Sequence, residues 1–209
     1  MKNPPSQRKI MICTDSKILT VGFDEAGRGP LAGPVSAAAV ILPSDFPYEI
    51  LNDSKKISEK KRLAAEAVIK EKACWGIGLV EHDEIDRINI LEASMLAMKI
   101  AFDNLKKKLS KWCCMNNIAC SGLSGICDGT RSPDVPFECR SEPKADGKYP
   151  EVMAASILAK TCRDRIMYEM DKKYPEYGYA KHKGYPTRYH VEVCRRIGPS
   201  PIQRLSFKY

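Results

Sequence analysis

The stretch Val21-Gly-Phe-Asp-Glu-Ala-Gly-Arg-Gly-Pro-Leu-Ala-Gly-Pro34 decides how the rest of the chain is read. An apolar, β-prone run, Ile18–Phe23, leads into two adjacent acids, Asp24 and Glu25, and then into glycines and prolines. Within it, Gly27-x-Gly29-x-x-Ala32 matches a loose dinucleotide-binding fingerprint. That fingerprint needs a helix to start on the glycines, so that its N-terminus meets a pyrophosphate. Here Pro30 and Pro34 interrupt, and Val35–Leu42 follows as an apolar, small-residue run of strand length. The two acids would also repel a phosphate unless a cation intervened. An acidic pair at the end of an apolar strand is costly unless it is exposed or ligated. Neighbours on a regular strand point to opposite faces, so Asp24 and Glu25 share a metal only if the strand bends, and Ala26-Gly27 permits that.

Outward from this stretch, helices and strands alternate. Pro43 to Lys56 is loop-like. Ser58 is a helix N-cap ahead of Leu63, Ala64, Ala67 and Val68, and Cys74–Val80 is a third strand. Ile88, Leu91, Met95, Met98, Phe102 and Leu105 keep three- and four-residue steps, which predicts one helix from Glu84 to about Leu109. Residues 113–124, rich in Gly, Ser and Cys, read as a loop, and Gly125–Asp128 as a short strand before a Pro-rich excursion to about Ser141. A long helix is expected from near Tyr149 to Met170, and a last one over Thr187–Ile197. The expected fold is α/β, a mixed β-sheet flanked by helices, with the first two strands as a hairpin. Residues 1–17 are expected as a loose arm and 18–209 as one domain.

Composition narrows the function classes. The 209 residues can bury a sizeable core without disulfides or zinc. No apolar run approaches the roughly 18–20 residues of a membrane span, and Met1–Lys9, polar with two prolines, lacks the apolar core expected of a secretory signal. A cytoplasmic protein that does not engage membranes is expected. The nine cysteines, at 13, 74, 113, 114, 120, 127, 139, 162 and 194, contain no C-x-x-C and read as reduced thiols; zinc on Cys113, Cys114, Cys120 and Cys127 is the minor alternative. Lys+Arg number 34 against 26 Asp+Glu, a net +8, and residues 144–209 hold 14 Lys/Arg against 7 Asp/Glu. Most of the excess therefore follows Asp128, as a face for a polyanion would.

Two more acids extend the metal reading. Asp128 closes an apolar strand and precedes Gly129, and Asp146 lies in Lys144-Ala-Asp-Gly-Lys-Tyr-Pro150 just ahead of the long helix. Acids at strand ends and helix entrances, if they converge, make a hard oxygen site for Mg²⁺ or Mn²⁺. Taken singly, a strand-end Asp such as Asp128 is more readily an ordinary turn former.

At these residues the chain resembles the ribonuclease HII family, the type 2 ribonucleases H, in its bacterial form. The blocks that carry the resemblance are Asp24–Pro34, Leu51-Asn-Asp-Ser-Lys55, Asp128-Gly129, Lys144-Ala-Asp146, Ala154–Lys160, Arg163-Asp164, His182–Thr187 and Arg204-Leu-Ser-Phe207. They run in family order along nearly the whole chain. The resemblance implies a ribonuclease H-like sheet and an endoribonuclease that hydrolyses the RNA strand of RNA–DNA hybrids. It also implies cutting 5′ of single ribonucleotides embedded in duplex DNA, leaving a 3′-hydroxyl and a 5′-phosphate. Its acidic positions fall on Asp24, Glu25, Asp128 and Asp146, which would hold two divalent ions, Mn²⁺ or Mg²⁺, during catalysis. One such ion can activate water while the other stabilises the leaving oxygen. Gly27, Arg28 and Gly29 match the motif that senses the 2′-hydroxyl, the group that separates RNA from DNA. Tyr185 matches the tyrosine that packs on the next deoxyribose.

Lys55, Lys160, Arg163 and Lys183 are candidate phosphate contacts, with Ser54 and Ser156 as hydroxyl donors. Asp164 is either a further acid near the site or a helix partner of Arg163, and His182 contacts substrate or is structural. A monomer acting on RNA–DNA hybrid and on ribonucleotide-containing duplex DNA is expected. The alternatives are another nuclease of the ribonuclease H-like superfamily and a non-catalytic hybrid-binding module. Segments 113–127 and 130–143 depart from the family pattern and have no functional account.

Overall fold

The computed structural model describes residues 16–51 and 58–208. Its strands are β1 (Ser16–Ala26), β2 (Val35–Ile41), β3 (Cys74–Val80), β4 (Ala119–Asp128) and β5 (Cys139–Glu142). Its helices are α1 (Glu59–Lys72), α2 (His82–Ile88), α3 (Ile90–Met115), α4 (Pro150–Lys173), α5 (Tyr179–His182) and α6 (Arg188–Ile197). The strands form one sheet in the order β3-β2-β1-β4-β5. β1 pairs antiparallel with β2, with Asp24 opposite Ala38, and β2 pairs antiparallel with β3. On its other side β1 runs parallel to β4, with Phe23 opposite Cys127, and β4 runs parallel to β5. A hairpin can close antiparallel neighbours, whereas parallel neighbours need a crossover, and α3 supplies the one between β3 and β4. The expected α/β mixed sheet flanked by helices is therefore found.

The sheet is buried on both faces. Along β2, Ala37, Ala39 and Ile41 pack into the core under α3, while Ala38 and Val40 pack into the core under α4. Glycine makes both contacts close. A Cβ at Gly78 would lie 2.0 Å from the Ala97 carbonyl oxygen of α3, and one at Gly22 would lie 2.2 Å from the Glu151 carbonyl carbon of α4. Helix backbone therefore rests directly on β3 and β1, which sets α4 alongside the strand that carries the first acids.

Several boundaries differ from expectation. β1 begins at Ser16, inside the stretch expected as an arm. The helix expected from Glu84 is two helices, because Asn89 takes φ 70 and caps α3 by accepting from the amides of Leu91 (2.9 Å) and Glu92 (3.1 Å). Residues 113–124 are not a loop: α3 runs on to Met115 because Trp112 and Cys113 face the core, and β4 starts at Ala119 in register with Ser16. β5 lies inside the Pro-rich excursion as a short, charged edge strand, a form that discourages further pairing. Among the described residues no helix is long and apolar enough to cross a membrane. Among the described residues no three His, Cys, Asp or Glu side chains stand grouped to hold a metal, and this applies to the four acids and the cysteines alike.

Candidate active site

Asp24 and Asp128 end neighbouring parallel strands, so the sheet itself brings them together. Asp24 is 4% exposed; the Glu25 amide donates to its Oδ1 at 2.7 Å, and the Ser156 hydroxyl of α4 also bonds its carboxylate. Burial, then the charges of Glu25 and Asp128, raise its pKa well above the usual carboxylate value. Asp24 thus stands within reach of the charge of two other carboxylates. Arg28 offers partial relief, with Nη1 3.4 Å from Glu25 Oε1. Asp128 Oδ1 accepts from the Ala145 amide at 2.8 Å, which pins the turn that carries the buried Asp146 as its next residue. Lys144, at φ 64, lets the chain enter that turn. The donors are all hard oxygens at strand and turn ends, a set that fits Mg²⁺ or Mn²⁺ better than a softer metal.

Beside the acids lies a groove of about 270 Å³ lined by Glu25, the Gly27-Arg28-Gly29 turn, Ser156, Lys160 and Tyr185. Tyr185 is 44% exposed and its ring covers Gly29, where a Cβ would sit 3.5 Å from ring carbon Cε1. Lys160 Nζ is 2.5 Å from Asp164 Oδ1, and Asp164 also lies 3.6 Å from Arg62. Asp164 is thus the partner of Lys160 and Arg62 rather than of Arg163. Burial holds the Lys160 ammonium below its ordinary pKa, against the pull of Asp164.

Other expected site residues stand elsewhere. Arg163 is not placed to touch a phosphate: it is 1% exposed, and its guanidinium donates to the carbonyls of Pro34 (3.0 Å), Lys183 (2.9 Å) and Ala32 (3.1 Å). Its side chain also fills the space below Gly27, where a Cβ would fall 2.2 Å from its Nε. Lys183 turns its ammonium to the Ala180 carbonyl and over the Tyr168 ring, 3.9 Å from the centroid, so it does not line the groove. His182 is structural: one ring nitrogen pairs with the Tyr177 carbonyl at 2.9 Å, and Nδ1 accepts from the Gly184 amide at 3.2 Å. Ser54 and Lys55 lie outside the described residues.

Arg204 had no role in the sequence reading. It is fully buried, and its guanidinium donates to the carbonyls of Gly27 (2.7 Å), Arg28 (3.2 Å), Pro30 (2.9 Å) and Gly33 (2.9 Å). Burial, then the neighbouring Arg163 charge, lower its pKa to about 9, and burial lowers that of Arg163 to about 10, so both remain cationic at neutral pH. A signal for this was present. Pro30 and Pro34 interrupt regular pairing in this loop, and apart from the short bridge of Ala32 with Gln203 its buried carbonyls need side-chain donors.

A five-stranded mixed sheet with acids ending its two central parallel strands, beside a glycine-lined groove, defines a nuclease of the ribonuclease H-like class. The comparisons with known proteins narrow this. The Ribonuclease HII family model matches residues 21–209. The chain is 53% identical over 190 residues to the ribonuclease HII of Treponema denticola, covering 89% of this chain and 96% of that one. It is 47% identical over 191 residues to that of Vibrio parahaemolyticus, covering 91% and 84%. The crystal structure of ribonuclease H2 from Pyrococcus horikoshii superposes with a TM-score of 0.65 at 25% identity, covering 91% and 94%. The chain belongs to the ribonuclease HII family, and it is an endoribonuclease of the type 2 ribonucleases H.

Proposed function

We propose that this enzyme hydrolyses the RNA strand of RNA–DNA hybrids and cuts 5′ of single ribonucleotides embedded in duplex DNA, leaving a 3′-hydroxyl and a 5′-phosphate. The observation that carries this reading is one groove shared by the acid Glu25, the Gly27-Arg28-Gly29 turn and the Tyr185 ring. Bare glycines let a sugar edge approach the backbone, and Arg28 and Tyr185 flank that approach. Tyr185 is the surface against which a deoxyribose packs; a ribose there would drive its 2′-hydroxyl into the ring. Lys160, held by Asp164, offers its ammonium to a phosphate on the same wall. The surplus positive charge that follows Asp128 supplies attraction for the duplex without reading sequence.

Asp24, Glu25, Asp128 and Asp146 would hold two divalent ions, Mg²⁺ or Mn²⁺. Such ions, when bound, supply water activation and charge stabilisation for an in-line displacement. The crowding of Asp24 by Glu25 and Asp128 supports this, since a cation is what relieves it. Ser156 and the Glu25 amide hold Asp24 in orientation, and the Ala145 amide holds Asp128. All four acids belong to one chain, so a single copy, acting in the cytoplasm, suffices. The test is a DNA duplex carrying one ribonucleotide, with Mg²⁺ or Mn²⁺, beside an all-DNA control. Cleavage 5′ of the ribonucleotide alone is expected; an uncut ribonucleotide duplex would overturn the reading.

A further inference from the structure

The Arg204 guanidinium lies behind the Gly27–Gly33 loop and gathers carbonyls from four of its residues. Across a trans peptide the C=O and the next N–H point in opposite directions, and among the described residues no peptide is cis. Each carbonyl drawn inward therefore turns the following amide outward. The loop contains one direct demonstration. The Pro30 carbonyl faces Arg204, and the next amide, that of Leu31, reaches the other way to the Gly184 carbonyl at 2.8 Å. Gly184 adjoins Tyr185, so the side opposite Arg204 is the side of the groove. The same rule applied to Gly27 and Arg28 aims the amides of Arg28 and Gly29 at that side. Among the described residues neither amide has a backbone acceptor.

We infer that Arg204 is a positioning residue for ribonucleotide selection: its fork of four carbonyl bonds fixes the direction of the Gly27-Arg28-Gly29 peptides, so that two unpaired N–H groups face the groove ready to donate to a sugar hydroxyl. It touches no substrate itself. Lysine cannot replace it, because a point charge on a flexible stem cannot hold several carbonyls in one plane. Arg163 braces the outer carbonyls, Ala32 and Pro34, and leaves those of Gly27 and Arg28 to Arg204. The two arginines therefore divide the work, and only Arg204 governs the peptides that border the site.

The inference rests on the proposed function, and the experiment separates the two. In the full-length protein, kcat and KM are measured on a duplex with one ribonucleotide, and Ki for an all-DNA duplex used as competitor. Wild type that fails to cut at the ribonucleotide would refute the proposed function itself. Given wild-type cutting, Arg204→Lys should lower kcat/KM about thirtyfold, roughly what two ordinary hydrogen bonds are worth, with Ki for DNA unchanged. A variant that keeps its rate, or that weakens for both duplexes in parallel, overturns the positioning role. Amide hydrogen exchange on wild type tests the geometry whether or not the variant folds. The Arg28 and Gly29 amides should exchange freely in the free protein and become protected by the ribonucleotide duplex but not by the all-DNA one. Protection in the free protein equal to that of the Leu31 amide would mean that they do not face the groove.

Discussion

Replacing Arg163 with methionine separates a brace from a phosphate contact. The substitution keeps much of the stem's bulk beneath Gly27 and Gly33 but removes every donor. The carbonyls of Pro34 and Ala32 are then left buried without their partner, while that of Lys183, partly exposed, can turn to water. Each orphaned buried carbonyl costs about 1–3 kcal/mol, which gives roughly 2–6 kcal/mol for the two. Relief from burying a cation lowers this toward about 2–4 kcal/mol. Against a total stability on the order of 5–15 kcal/mol the variant still folds at low temperature. Urea unfolding followed by the fluorescence of Trp75 and Trp112 measures the loss. Duplex binding across a salt series supplies the second readout. A phosphate contact would lower the slope of log affinity against log salt by about one on removal, and a brace leaves it unchanged. A stability loss under about 1 kcal/mol together with a reduced slope would refute the brace and restore the phosphate contact.

Asp24→Asn should abolish cleavage and leave duplex binding largely intact, as gel-based cutting and binding assays would report. Because the folded protein holds Asp24 above its unfolded pKa, it binds more protons between those values, so wild-type stability falls as pH rises through that window. The metal-free Asn variant should lack this fall, and its advantage in unfolding experiments should grow from acid toward neutral pH; parallel curves would contradict the burial and crowding of Asp24. Tyr185→Ala should slow cleavage at a single ribonucleotide more than within a long hybrid, and equal losses would remove its role at the junction. Gly22→Ala places a Cβ 2.2 Å from the α4 backbone and should cost about 1–3 kcal/mol in thermal or urea unfolding, with cleavage falling as Ser156 shifts from Asp24.

The legible parts of the fold were those with a clean period or cap. Cys74–Val80 matched its strand residue for residue, Ser58 does cap α1 by accepting from the Lys61 amide, and the long helix after Tyr149 is α4. What stayed hidden depended on contacts that local pattern does not carry. The Gly/Ser/Cys-rich start of β4 has little strand propensity, and its pairing with β1 makes it a strand. The break at Asn89 replaces a helix interior with a cap, although the apolar stripe runs across it unbroken. Among the site residues, Asp24, Glu25 and the glycines stood out through their place in a motif. Arg163 and Arg204 were misread or passed over because an isolated arginine looks like surface, and only a loop starved of donors makes burial worthwhile.

The dependence of the Gly27–Gly33 loop on Arg204 also bears on the order in which the protein comes into being. The two partners are up to 177 residues apart, and the whole sheet beyond β1 is made between them. During synthesis the acids of β1 and the α3–β3 layer can assemble while the loop still waits for its donors. Contacts of such long separation form late, after the shorter closures have been made. A chain still short of that contact thus carries the carboxylates of β1 before it has a shaped selector. On the proposed role of Arg204, the selector takes shape only when a side chain made long after the loop seats behind it.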